Sequence, residues 1–177
     1  MVAIRQGWEV GRHGVSALHE VGCTARLRQV EESAEGEYDI VTVGATRFRV
    51  NSVDNAEPYL RADVTRLGDE VGDAARATVL ARSVGKRYAE YLGLLADTQQ
   101  VQTEEPELPE EPLLLSHLVA ATAPLTLEDR QALLAADDAA VRLRLELALL
   151  RRESTMLRRV RAVPVPLAEL QVPQSAS

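Results

Sequence analysis

His13, His19 and Cys23 form the tightest grouping of metal-seeking or nucleophilic side chains in this 177-residue chain. A structural zinc site takes four such ligands, and a catalytic one takes three plus a water. The third histidine, His117, lies far along the chain, and no CxxC or HExxH spacing occurs. The group therefore reads as two loop histidines beside a small buried thiol, with no metal centre and no Cys–His nucleophile pair. Lysine chemistry is equally constrained, because Lys86 is the only lysine. A phosphate loop needs glycines leading into Lys and then Ser or Thr. Here Leu80 stands where the first glycine belongs, and Arg87 follows the lysine. A Ser–Lys dyad would need Ser83, which lies one helical turn earlier, a spacing that any helix produces. There is no G-x-S-x-G elbow. No catalytic, cofactor-binding or metal-binding residue is assigned.

Binding remains. Arg26, Arg28, Arg47 and Arg49 could form a basic face for RNA or phosphate, or a solvated face. The stretch from Glu20 to Leu67 carries six arginines against nine acids, which favours the solvated face. The whole chain has a net charge of -7, unsuited to non-specific phosphate binding. Trp8, the only tryptophan, sits in a glycine-bounded loop. It is the one candidate polypeptide-binding residue, either as an exposed anchor or as a plug for the end of a barrel. The leucine stripe Leu143, Leu147, Leu150 and Leu157 is wider than a coiled-coil seam and is expected to pack on neighbouring helices.

The elements that must position these residues follow from periodicity. Val2 to Arg5 reads as strand, and Gly7, Gly11 and Gly14 punctuate the loop after it. Four strands follow at period two: Thr24–Val30, Tyr38–Val43, Thr46–Val50 and Tyr59–Leu67, with Gly44-Ala45 as a tight connection between the second and third. The period then becomes 3.6. Leu80, Val84, Tyr88, Tyr91 and Leu95 share a helical face, with Asp73 as N-cap. Residues 97–112, with five glutamates and three prolines, read as a flexible acidic loop. Leu113–Ala123 reads as a short helix. Thr126 with Asp129 opens another in the manner of a capping box. Asp137 or Asp138 caps the last helix, which ends before Pro164 and Pro166. Hydrophobic residues make up 46% of the chain and aromatics 3%, so the core is expected to consist of Leu, Val and Ala. A lone cysteine suggests a reducing compartment. No apolar run is long enough to span a membrane, and no secretory signal opens the chain, so the expected location is the cytoplasm.

The order EVG, TARLRQV, YDIVTVGATRFRV and EPYLRADVTRL resembles the substrate-binding domain at the N-terminus of Lon proteases, the LON domain. Val21, Gly22, Thr24, Ala25 and Arg26 match that family's V-G-T-x-A-R-I strand. Gly44, Arg47 and Val50 match its L-x-x-x-G-x-x-R-x-x-I hairpin. Pro58, Tyr59, Ala62 and Val64 match its P-Y-x-x-A-x-V strand, while Glu35-Gly36 only approximates its D-G turn. The stretch LSHLVAATAPLTLEDRQALLAADDAAVRLRLELALLRRE resembles its helical part, so the likeness spans Val2 to Val163. The family's proline-rich opening segment is missing, and Gly7, Glu9, Val10 and Gly11 match the end of a later family strand. A chain truncated at its N-terminus, or one whose start is placed too late, is therefore expected, with an unpaired sheet edge and exposed apolar residues.

The resemblance implies an α+β fold. Residues 1–70 would form a PUA-like antiparallel β-barrel, incomplete at its N-terminus. Residues 71–163 would form a C-terminal helical bundle carrying the loop 97–112, and residues 164–177 a disordered tail. It implies a non-catalytic protein that binds unfolded or client polypeptides and associates with an ATP-dependent protease, without cofactor, nucleic acid or membrane. The alternative is a PUA-like RNA-binding module, and a third reading is an enzyme whose site is unrelated to the fold's usual role.

Overall fold

The computed structural model describes residues 1–7, 15–32, 36–57, 59–99 and 107–162. Trp8, Gly11, His13, Gly14, Glu35, Pro58, the middle of the acidic stretch (100–106) and the tail from 163 onward lie outside the described residues.

Among the described residues, five strands and four helices follow in order. Strand β1 (Ile4–Gly7) pairs antiparallel with β2 (Val15–Leu18), an element unforeseen in a stretch that reads as loop. Strands β3 (Val21–Glu32), β4 (Tyr38–Asp54) and β5 (Arg61–Arg66) form an antiparallel meander. The expected break at Gly44-Ala45 is absent, and β4 runs through it as one strand of 17 residues. Gly44 pairs with Ala25 beside a register shift of the β3–β4 ladder. A glycine in a strand is as often the mark of a bulge as of a turn, and here it is a bulge. The four strands expected between Glu20 and Leu67 are thus three.

Among the described residues the two sheets do not close into a barrel. They meet only at one end, where the Met1 amino group and carbonyl bond to the carbonyl (2.8 Å) and N–H (3.0 Å) of Cys23. Gly22 permits that approach, because a Cβ there would stand 2.6 Å from the Met1 carbonyl oxygen and 2.7 Å from the Phe48 ring. Beyond this junction, Thr24–Glu32 and Tyr38–Ala45 are exposed along their whole length. The register places Val30 opposite Ile40 and Glu32 opposite Tyr38, so Val30, Ile40 and Tyr38 share one face. Ile40 is 59% exposed and Tyr38 61%.

The helices are α1 (Ala74–Gln99), α2 (Pro112–Thr122), α3 (Leu127–Ala135) and α4 (Ala139–Ala162). Helix α1 continues to Gln99, three residues into the stretch expected to be loop. Each start has a local cause. The Asp73 carboxylate accepts from the Arg76 N–H at 3.0 Å. Glu111 caps α2 through both oxygens, with Pro112 at its first position. The Thr126 hydroxyl accepts from the Asp129 N–H and donates to the Asp129 carboxylate. Asp138 caps α4 by accepting from the Val141 N–H at 2.7 Å. The core is a helical one: Ala77, Ala81, Val84, Tyr88 and Tyr91 of α1 pack with Leu115 and Val119 of α2 and with Ala140, Leu143 and Leu150 of α4. The leucine stripe of α4 therefore faces its own bundle, with Leu147 and Leu157 partly buried against the cluster.

Glu146 lies on that buried face of α4, 1% exposed, and neither carboxylate oxygen has a hydrogen-bond partner among the described residues. Burial pushes its pKa up to about 8, against a smaller opposing pull from Arg142. The folded chain therefore keeps a proton that the unfolded chain gives up above about 4.5. This contribution to stability is full at acid pH, falls as pH rises from about 4.5, and is lost by about 8. His117 titrates with the opposite sign, so a difference measurement is needed to isolate Glu146. Urea unfolding of wild type and Glu146→Gln across that range should show the wild type losing a few kcal/mol relative to the variant as pH rises. A difference independent of pH would mean that the carboxyl is ionised in the fold.

Candidate functional site

Arg47 of β4 points into the joint between sheet and helices and is only 4% exposed. Its guanidinium is satisfied by four acceptors. Nε donates to Asp69 Oδ1 at 2.9 Å and Nη2 to the Gly68 carbonyl at 2.8 Å. Nη1 donates to the carbonyls of Leu134 (2.8 Å) and Ala136 (2.6 Å). The last two belong to the C-terminal end of α3, where helix carbonyls lack partners and the macrodipole is negative. A positive charge there is favourable even when buried. The loop after β5 also meets α4, whose Ala139 and Ala140 N–H groups donate to the carbonyls of Glu70 and Val71.

Asp69 carries the network onward. His117 of α2 places Nε2 3.6 Å from Asp69 Oδ1 and 3.4 Å from Arg142 Nη1. Burial holds the His117 pKa below the usual imidazole value, helped by Arg142 and opposed by Asp69, so the ring is neutral at neutral pH. Arg142 of α4 is 1% exposed. It donates from Nε to the Leu133 carbonyl at 3.1 Å, a third carbonyl at the end of α3, and from Nη1 to Ser116 Oγ at 3.0 Å. Its Nη2 has no hydrogen-bond partner among the described residues. Burial and the nearby Arg47 both disfavour its charge, yet an arginine side chain stays protonated.

Above this network lies a cleft of about 560 Å³ between the sheet and helices α2 and α3. Its walls are Val43, Gly44 and Ala45 on one side and Ala120, Ala121, Leu127 and Leu134 on the other, with Cys23 at one margin. Arg47, Arg130 and Arg142 line it, against the single carboxylate of Asp69. In a chain of net charge -7 the cleft is a local reversal of sign.

The residues singled out from the sequence distribute unevenly. Trp8 and His13 lie outside the described residues. Cys23 is part-exposed rather than buried, because it sits at the end of the strand junction and borders the cleft. His19 lines a separate groove beside β4. No group of three His, Cys, Asp or Glu side chains suited to a metal occurs among the described residues. Arg26, Arg28 and Arg49 are solvated as expected, but Arg47 is not, since the helices cover its part of the strand. Sequence reasoning missed Arg142 and Asp69. A signal existed for Arg142, which lies on the same face of α4 as Ala139, Leu143, Glu146 and Leu150, a stripe that is otherwise mainly apolar. No described helix is long and apolar enough to cross a membrane.

Residues 1–152 match the model of the ATP-dependent protease La (LON) substrate-binding domain. Among curated proteins, the chain is 30% identical over 146 residues to Lon protease 2 of Myxococcus xanthus, covering 82% of this chain and 18% of that protein. It is 31% identical over 144 residues to Lon protease 2 of Sorangium cellulosum, covering 80% and 18%. The chain thus spans under a fifth of the length of the curated relatives it matches. Among solved structures, the N-terminal domain of Mycobacterium avium complex Lon protease superposes with a TM-score of 0.58 at 18% identity, covering 77% of this chain and 72% of that one.

Replacing Arg47 tests the joint. Arg47→Met leaves Asp69 and the α3 carbonyls without their donor and should lower the unfolding free energy by about 3–5 kcal/mol. Arg47→Lys should recover only part, since an ammonium cannot reach four acceptors in a planar fork. The exposed neighbour Arg49→Met should stay within about 0.5 kcal/mol. Equal losses for Arg47→Met and Arg49→Met in urea unfolding would contradict the assignment.

Proposed function

Because the chain belongs to the ATP-dependent protease La (LON) substrate-binding domain family, we propose that it is a non-catalytic protein that binds unfolded or client polypeptides in the cleft between sheet and helices. The observation that carries this reading is the cleft itself, open to solvent and walled by apolar side chains from both layers. Three of its wall residues, Ala45, Ala120 and Ala121, are small, which leaves room for side chains of differing shape. Apolar burial at roughly 25 cal/mol per Å² makes few demands on sequence, as a binder of many polypeptides requires. The outer edge of β3 supplies a second means of attachment. Beyond Cys23, no backbone group from outside the sheet pairs with it among the described residues, so an extended segment can add to it by main-chain bonds. The bound polypeptide undergoes no chemical step here, and its processing belongs to an ATP-dependent protease acting with this chain.

A fluorescently labelled, permanently unfolded polypeptide should raise its anisotropy on titration with the protein and be recovered intact by mass spectrometry. Ala121→Trp, at an exposed wall position, should fill the cleft and weaken binding by about tenfold or more, equivalent to about 1.4 kcal/mol, without moving the unfolding midpoint. Tighter, salt-sensitive binding of an RNA of similar length would overturn the reading.

A further inference from the structure

The charge of the cleft narrows what it can hold. Three guanidinium groups line it against one carboxylate. Asp69 is already engaged by Arg47 at 2.9 Å. Arg142 has no ion-pair partner among the described residues, and its Nη2 has no hydrogen bond. The carbonyls at the end of α3 compensate these cations only in part, since a helix terminus is equivalent to about half an elementary charge. Among the described residues the side chain of Arg130, exposed at the rim, has a single long hydrogen bond, 3.4 Å to the Ala123 carbonyl, so it can turn toward a ligand. The cleft thus carries an excess of positive charge between walls that are apolar and small. We propose that the cleft takes the free carboxylate at the C-terminus of a polypeptide, with the terminal apolar side chain against Ala45, Ala120 and Ala121. Arg130 meets the carboxylate, while Arg47 and Arg142 supply the field from beneath. A chain end suits the cleft better than an internal acidic residue, because it brings charge and apolar side chain on one residue and need not lead a second length of chain back out. This inference rests on the polypeptide-binding reading and specifies its ligand.

The test compares three labelled ten-residue apolar peptides by anisotropy: one ending in Leu-Ala as the free acid, the same peptide as the amide, and the amide with an internal Glu. The acid should bind about tenfold or more tightly than the amide, as a charge-assisted contact in a sheltered site allows. The internal-Glu amide should bind like the plain amide, and added salt should narrow the gap. Arg130→Gln should bring acid and amide together, and its exposure keeps the fold out of question. Arg142→Gln, checked for folding by unfolding midpoint, should do the same. Equal binding of acid and amide, or an internal Glu as effective as the terminus, would overturn the proposal. If no peptide binds while an unfolded polypeptide does, the carboxylate site falls and polypeptide binding stands. If neither binds, both fall.

Discussion

One guanidinium group bonds to both halves of this molecule, beside a bond of 2.7 Å from the Gln131 side chain to the Val21 carbonyl. Arg47 starts in a strand and ends on the last carbonyls of α3, 87 and 89 residues further along the chain. Helix termini leave carbonyls that water usually satisfies, and at this joint packing limits water. Arg47 and Arg142 replace it, supplying donors to Leu133, Leu134 and Ala136. A nine-residue helix can thereby end inside the molecule, and the sheet is held to the bundle at a fixed distance.

The cleft is a by-product of that fixed distance. The Arg47 side chain reaches from β4 to the end of α3, while Val43–Ala45, a few residues earlier, line the open cleft. Two layers held together at Arg47 and at the Gln131–Val21 bond, and open beside Val43–Ala45, leave a wedge of space. Its apolar walls and positive floor have one origin, since the arginines that pin the layers also line the opening. Glu146 shares a face of α4 with Arg142, and burial pushes its pKa up to about 8, which disfavours the charge that would offset the arginines.

The helices were legible because their signals are local. Asp73, Thr126 and Asp138 mark starts by capping, and Val84, Tyr88 and Tyr91 mark a face by spacing. The sheet was legible only in part. Period two identified β3 and β5, but Gly44-Ala45 looks the same in sequence whether it turns the chain or bulges a ladder, and only pairing with Ala25 decides. Alternation also implies that one face is covered, and along the outer part of β3 and β4 it is not. The site was least legible. Arg47 matched a family motif without its role being apparent, since burial of an arginine depends on acceptors far away in sequence. Arg142 and Glu146 stood on an apolar stripe, where charged residues are rare unless something holds them.

The double use of Arg47 and Arg142 divides the cleft into parts that evolve under different constraints. The floor is constrained, because each arginine there also donates to backbone carbonyls at the end of α3. The walls carry no such burden. Ala45, Ala120, Ala121 and Leu127 contribute shape alone, so exchange among alanine, valine, leucine or methionine would reshape the cleft while leaving the joint intact. Under the proposed function, divergence of ligand preference among descendants of this chain would be written in aliphatic side-chain size around an unchanged pair of arginines.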